Sequence, residues 1–260
     1  MEVIVHKSAA EASAVAGRLV GRNVRENPPT VLGLATGSTP VALYQSLVRQ
    51  HRDDDLDFSQ VRTFNLDEYA GLKRDHEQSY HHFMRVNLFD HVNVPDENIQ
   101  IPDGRAAEIP SHCEDYERAI AEAGGVDLQI LGIGANGHIG FNEPTSSLVS
   151  RTRIKSLTRH TIEENARFFG GADGVPRHVI TMGIGTIMES RQIVILAFGE
   201  KKARAVADMI EGPLSAYVPA SILQMHGNTK VFLDEEAAME LKRSEYYKWV
   251  YDNKPEWQKF

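Results

Sequence analysis

Asp67, His138 and Glu143 are the residues of this chain whose types and neighbours could move protons. Asp67 opens Asp67-Glu68-Tyr69, directly after the apolar run VRTFNL at 61–66. A carboxylate there serves as a general base or caps the next element, and position alone leaves both readings open. His138 lies in GIGANGHIGFNEP (132–144), flanked by Gly137 and close to Asn136, Asn142 and Glu143. An imidazole near a carboxylate in a glycine-lined loop at a strand end is placed to exchange protons near neutral pH. The stretch also contains G-x-G-x-x-G, yet it fails as a dinucleotide fingerprint. Glycine and proline stand where a helix would have to run, and residues 144–162 carry no acid for ribose hydroxyls.

Other residues could hold an anion. Gly37-Ser38-Thr39-Pro40 follows TVLGLAT (30–36) and precedes a helix pattern, so free N–H groups and two hydroxyls converge. That is a phosphate cradle or a plain strand-to-helix turn with a Thr cap; without G-K-[ST] it is no Walker A loop. In GEKKARAVADMI (199–210), Lys201 and Lys202 fall in the first helical turn, where the macrodipole disfavours cations. A bound anion relieves that conflict, or Glu200 and solvent do. In SRTRIK (150–155), Arg151, Arg153 and Lys155 alternate, and an extended backbone puts them on one face, as a solvated strip or an anion site. His76 and His81 in HEQSYH are five apart, not four; with His82 and His91 they form a histidine-rich segment, and no metal is expected.

These residues need a scaffold of strands and helices. Short β-branched runs recur at EVIV (2), TVLGLAT (30), VRTFNL (61), VDLQILGI (126), HVITMGI (178), QIVILAF (192) and KVFL (230). Most are apolar throughout, as strands covered on both faces are. Helix patterns lie between them. Ser8 with Glu11 forms a capping-box signature, Thr39-Pro40 reads as an N-cap and N1 pair, and Gly212-Pro213 ends the pattern that begins at Lys201. The expected fold is α/β: a single domain over residues 1–260, with a mainly parallel, Rossmann-like sheet and helices on both faces. Binding sites in such folds lie at the carboxyl ends of the strands.

The 260 residues carry 28 Lys and Arg against 36 Asp and Glu, a net charge of −8, which argues against a nucleic-acid surface. The N-terminal stretch is interrupted by His6, Lys7, Glu11 and Arg18, and IVILAF is too short to span a bilayer, so neither a signal peptide nor a membrane segment is expected. One cysteine, Cys113, allows no intrachain disulfide; a cytoplasmic setting is expected.

Taken together, LGLATGSTP, TFNLDEYAGL, SYHHFM, GIGANGHIGFNEPTSSLVSRTRIKSLT, NARFF, TMGIGTI, FGEKKA and MELK resemble the glucosamine-6-phosphate deaminases nearly end to end. The pairing of NLDEY with GHIGFNEP is the specific part. The resemblance implies conversion of glucosamine 6-phosphate and water to fructose 6-phosphate and ammonia without cofactor or metal, in oligomers that are often hexamers. By motif, Asp67 matches the base that moves a proton between C2 and C1. His138 matches the group that assists ring opening, with Glu143 as its carboxylate partner. Gly37, Ser38, Thr39, Gly137, Arg167 and Lys202 match the substrate- and phosphate-holding set.

Asn136 departs from relatives that carry Asp there; an amide orients the imidazole but brings no charge. Ser146, Arg153, Lys155 and Ser156 match an allosteric site for N-acetylglucosamine 6-phosphate, while the tail YYKWVYDNKPEWQKF does not align cleanly with the family's tyrosine there. Two rivals stand beside this reading. A 6-phosphogluconolactonase-like hydrolase tends to follow the histidine with serine and F-P, unlike GHIGFNEP. A non-catalytic sugar-phosphate sensor would carry a DNA-binding segment, and these residues contain no helix-turn-helix pattern.

Overall fold

The computed structural model describes residues 1–258, and the side chains of all of these but His160 and Glu164; Lys259 and Phe260, the end of the aromatic tail, lie outside the described residues. The described residues form ten strands: β1 Glu2–His6, β2 Val31–Leu34, β3 Arg62–Asn65, β4 Asp67–Tyr69, β5 Ile99–Gln100, β6 Leu128–Gly132, β7 Arg153–Ser156, β8 His178–Thr181, β9 Gln192–Ala197 and β10 Thr229–Asp234. The α-helices are α1 Ala9–Glu26, α2 Val41–Asp53, α3 Tyr80–Asn87, α4 Ile109–Glu122, α5 Arg159–Asn165, α6 Ile184–Met188, α7 Ala203–Ile210 and α8 Ser244–Asp252.

Seven strands form one parallel sheet in the order β1-β10-β9-β6-β2-β3-β5. The chain runs from β2 outward to β3 on one side, and from β6 to β9 and β10 on the other. Right-handed crossovers in opposite directions place α1 and α2 on one face and α4 and α7 on the other. Both faces are therefore covered, which is why β2 and β9 read as unbroken apolar runs. The direction of winding reverses between β2 and β6, so a crevice opens beyond their carboxyl ends. The loops that leave those ends are 35–40 and 133–143.

The HVITMGI run does not join this sheet. It forms β8, the centre of a small antiparallel sheet β4-β8-β7, with Asp67 opposite Thr181 on one side and Arg153 opposite Thr181 on the other. That sheet, with Tyr69, Phe141, Leu157, Val175 and Val179, has an apolar cluster of its own. The seam between the sheets is tight: the Leu66 amide donates to the Leu34 carbonyl at 2.9 Å, and the Met182 amide donates to the Leu66 carbonyl at 2.6 Å.

The starts of α1 and α2 contrast. Ser8 Oγ accepts from the Glu11 amide at 3.2 Å, while the Glu11 carboxylate reaches back to the Lys7 amide, also at 3.2 Å. Thr39, by contrast, does not cap α2: Pro40 is the N-cap, in helical conformation, with no side-chain bond. The Thr39 side chain is thus left for the crevice. In the C-terminal tail, α8 packs on β1, where the Tyr251 ring meets His6 edge-on with centroids 5.8 Å apart. The Tyr247 hydroxyl contacts Glu211 at 3.2 Å.

Candidate active site

The crevice holds a cavity of about 170 Å³ whose wall includes Thr39, Asp67, Gly134, His138, Gly140 and Lys202. Asp67 arrives there because the chain leaves β3 and, one residue later, is caught in β4 by pairing with β8. Its side chain is only 5% exposed. Burial, reinforced by the neighbouring Glu68 charge, pushes the Asp67 carboxyl up to about 8. The alternative role, capping, falls to the next residue. Glu68 points away, and its carboxylate accepts the Tyr80 and His81 amides at the start of α3, as well as bonding His81 Nδ1 at 3.0 Å. Part of the histidine-rich segment thus anchors Glu68. Among the described residues no group of three His, Cys, Asp or Glu is arranged as metal ligands.

His138, Asn136 and Glu143 form a directed chain. Asn136 Nδ2 donates to Glu143 Oε2 at 2.8 Å, so its Oδ1 must be the acceptor that faces His138 Nδ1 at 2.7 Å. A carboxylate only accepts, and this fixes the amide, which in turn places the imidazole proton on Nδ1. Nε2 is the nitrogen left for a substrate. Glu143 Oε2 lies 3.6 Å from His138 Nδ1, an ion-pair distance without a direct hydrogen bond. Burial alone would raise the Glu143 carboxyl, but His138, the Thr161 hydroxyl at 2.6 Å and the Asn136 amide outweigh it and hold it at about 2.

Two glycines make room for this loop. A Cβ on Gly134 would lie 2.1 Å from His138 Cε1, so the imidazole rests where a side chain would otherwise be. Gly140, at φ +56°, brings the loop backbone against Thr181 and Asp67; its Cβ would be 3.5 Å from Asp67 Oδ2. Gly137 (φ +82°) turns the loop before the histidine. Asn142 does not face the cavity. It is fully buried, and its Nδ2 donates to the Ile139 and Met182 carbonyls.

The anion-holding set is spread over neighbouring ground. Thr39 and Lys202 border the cavity. Lys202 ends a 3₁₀ turn, Glu200–Lys202, and precedes α7, so Lys201 and Lys202 are not in an α-helical first turn as expected. Asp234 fixes that turn by accepting the Gly199 amide with both oxygens at 3.0 Å. Gly37 and Ser38 border an adjoining, more apolar cavity of about 320 Å³ with Tyr80, Phe168 and Phe169. Arg167 is not brought to the 170 Å³ cavity: it sits on an exposed turn with its guanidinium 4.6 Å from the Phe168 ring centroid.

The family of glucosamine-6-phosphate isomerases and 6-phosphogluconolactonases matches residues 6–232. The chain belongs to that family. It is 51% identical over 258 residues to a glucosamine-6-phosphate deaminase of Arthrobacter sp., covering 99% of each chain. It is 49% identical over 260 residues to one of Rhodococcus jostii, covering 100% of each. A solved monomeric glucosamine-6-phosphate deaminase superposes with a TM-score of 0.90 at 42% identity, over 92% of this chain and 100% of that one. A 6-phosphogluconolactonase from Trypanosoma cruzi shares the fold, with a TM-score of 0.73 at 20% identity, over 93% of this chain and 97% of that one.

The glucosamine-6-phosphate isomerase and 6-phosphogluconolactonase fold also places the residues matched to an effector site. Arg153 and Lys155 lie on one face of β7. Arg151 is not the third member of their strip: it precedes β7 and is bound by Glu117 and Glu189, both at 2.6 Å. The Ser146 hydroxyl is buried without a hydrogen-bond partner among the described residues, and Ser156 is exposed at the end of β7. Sequence reasoning missed Thr161 and Thr181 at the site. Thr181 Oγ1 accepts the Phe141 amide at 3.1 Å behind Asp67. The Thr158-x-x-Thr161 spacing of a helix start was the available signal for Thr161.

Proposed function

We propose that the chain is one α/β catalytic domain over residues 1–260 that converts glucosamine 6-phosphate and water to fructose 6-phosphate and ammonia. One observation carries the reading: Asp67 and His138 line the same cavity in a chain about half identical, along its whole length, to relatives named glucosamine-6-phosphate deaminase.

The division of labour follows from the two environments. His138 Nε2 takes the proton of the C1 hydroxyl and returns it to the ring oxygen as the C1–O5 bond breaks, leaving an open-chain aldehyde. Asn136 and Glu143 hold the imidazole through Nδ1, and the anionic Glu143 stabilises it while it carries the extra proton. Asp67 then removes the C2 proton, and the enolamine forms as the C1 oxygen takes up a proton from the C2 ammonium. The same carboxyl returns its proton to C1, which gives an imine at C2. Water adds to that carbon and ammonia leaves. Asp67 starts protonated below about pH 8. The substrate's C2 ammonium, arriving beside it, favours the carboxylate and thereby makes the base. Thr39 and Lys202 hold the phosphate, with Gly37, Ser38 and Gly137 in the adjoining loops, and its binding energy orients C1 and C2.

The same reading places the protein in the cytoplasm as a homo-oligomer, a hexamer among the possible assemblies, activated by N-acetylglucosamine 6-phosphate at Ser146, Arg153, Lys155 and Ser156. Support for an effector site comes from the unpartnered Ser146 hydroxyl and from Arg153, whose guanidinium is partly desolvated and faces no carboxylate among the described residues. The solved relative described as monomeric is the counter-example. Sedimentation with and without effector, beside rate curves, decides it; a monomer with hyperbolic, effector-insensitive kinetics removes this part.

The experiment for the activity is ammonia release from glucosamine 6-phosphate by the wild type and by Asp67→Asn, with 6-phosphogluconolactone hydrolysis in parallel. Steady ammonia release, lowered roughly a hundred- to ten-thousand-fold in Asp67→Asn, is expected. Lactone hydrolysis without ammonia release contradicts the reading.

A further inference from the structure

The excursion between β7 and β8 reaches the site through one hydroxyl. Thr161, on α5, is 3% exposed although its neighbours Arg159 and Glu163 face solvent. Its Oγ1 lies 2.6 Å from Glu143 Oε1 and 2.9 Å from Thr158 Oγ1. Glu143 is ionised and only accepts, so the Thr161 proton goes to Glu143. Thr158 Oγ1 already accepts the Thr161 amide at 3.2 Å and can direct its own proton to Thr161 Oγ1. The donation therefore runs one way: Thr158 to Thr161 to Glu143. Among the described residues, this is the one side-chain hydrogen bond that joins residues 157–176 to the catalytic loop.

The other Glu143 oxygen is held by Asn136 at 2.8 Å, so the carboxylate is gripped at both ends. If the Thr161 end is released, the carboxylate can rotate, and the Asn136 amide that depends on it loses the contact that sets its orientation. His138 would then lose its fixed Nδ1 proton. We propose that Thr161 is a positioning residue for ring opening: its hydroxyl fixes Glu143, and through Asn136 it keeps His138 Nε2 available to the substrate. The inference rests on the deaminase reading of the site.

Thr161→Val keeps the shape and β-branching and removes only the hydroxyl, whereas Thr161→Ser keeps the hydroxyl. Each is compared with the wild type for kcat and KM on glucosamine 6-phosphate, and for the Glu143 carboxyl titration followed by 13C NMR. The valine variant is expected to lose about ten- to a hundredfold in kcat with little change in KM. Its Glu143 titration should move up toward the ordinary range, and serine should restore both. An active wild type whose valine variant matches it in kcat and titration overturns the inference, as does an equal loss in serine and valine. A wild type that releases no ammonia would instead remove the deaminase reading, so the two failures are told apart.

Discussion

Gly134 lies directly beneath the His138 imidazole, so close that a Cβ would stand 2.1 Å from Cε1 and 2.2 Å from Nδ1. The contact is with a ring held by Asn136 through Nδ1, so it can yield only by giving up that bond or by moving into the cavity. Gly134→Ala is therefore expected to move the imidazole off its bond with Asn136 and lower kcat about a hundredfold. Circular dichroism should show an intact fold; an alanine variant with wild-type turnover would show that the ring tolerates displacement.

Asn136→Asp adds a negative charge 2.7 Å from His138 Nδ1 and removes the donor to Glu143. An adjacent anion favours the charged imidazole, so the pH–rate profile of glucosamine 6-phosphate turnover should differ from that of the wild type. An unmoved pH–rate profile would mean that position 136 acts through geometry alone.

Free and substrate-bound enzyme should differ in pH dependence. Asp67 is held at about 8 by burial and by Glu68, so kcat/KM should climb with pH until about 8 and then level. The profile of kcat should bend at a lower pH, because the bound ammonium favours the carboxylate. A kcat/KM profile already flat from mildly acidic pH would contradict the raised Asp67.

The same two carboxyls give stability slopes of opposite sign. Folded Asp67 keeps its proton to about 8 while the unfolded chain loses it near 3.8, so its contribution falls as pH rises between these values. Asp67→Asn, whatever its activity, should gain in Tm over the wild type as pH rises through that window. Glu143 is held at about 2 against 4.5 unfolded, so its contribution is present above 4.5 and lost as pH falls to about 2. The Tm deficit of Glu143→Gln should shrink over that acid range. Thermal melts of both variants across pH check both signs.

Much of this site could be read from residue order because its parts stand at strand ends. Asp67 follows an apolar run, His138 and Glu143 share one glycine-bearing loop, and strand runs bordered by caps imply a parallel sheet. What escaped depends on contacts between distant segments. HVITMGI reads as another central strand, yet it pairs with the three residues at 67–69, too short a stretch to signal a strand. Glu68 and Asp67 are equal in sequence, and only the approach of α3, twelve residues on, assigns the cap to one and the cavity to the other. Thr161 is unremarkable locally; its meaning comes from a carboxylate 18 positions earlier. Arg151 alternates with Arg153 and Lys155, but acids on α4 and after α6 claim it.

The central claim is that Asp67 carries hydrogen between neighbouring carbons of the amino sugar. Glucosamine 6-phosphate deuterated at C2 tests it most directly, by mass and NMR analysis of the fructose 6-phosphate formed early in turnover. Wild type should deliver part of the label to C1, the remainder passing to solvent, and Asp67→Asn should neither transfer nor wash out the label. Label movement at an undiminished rate in Asp67→Asn would contradict the account.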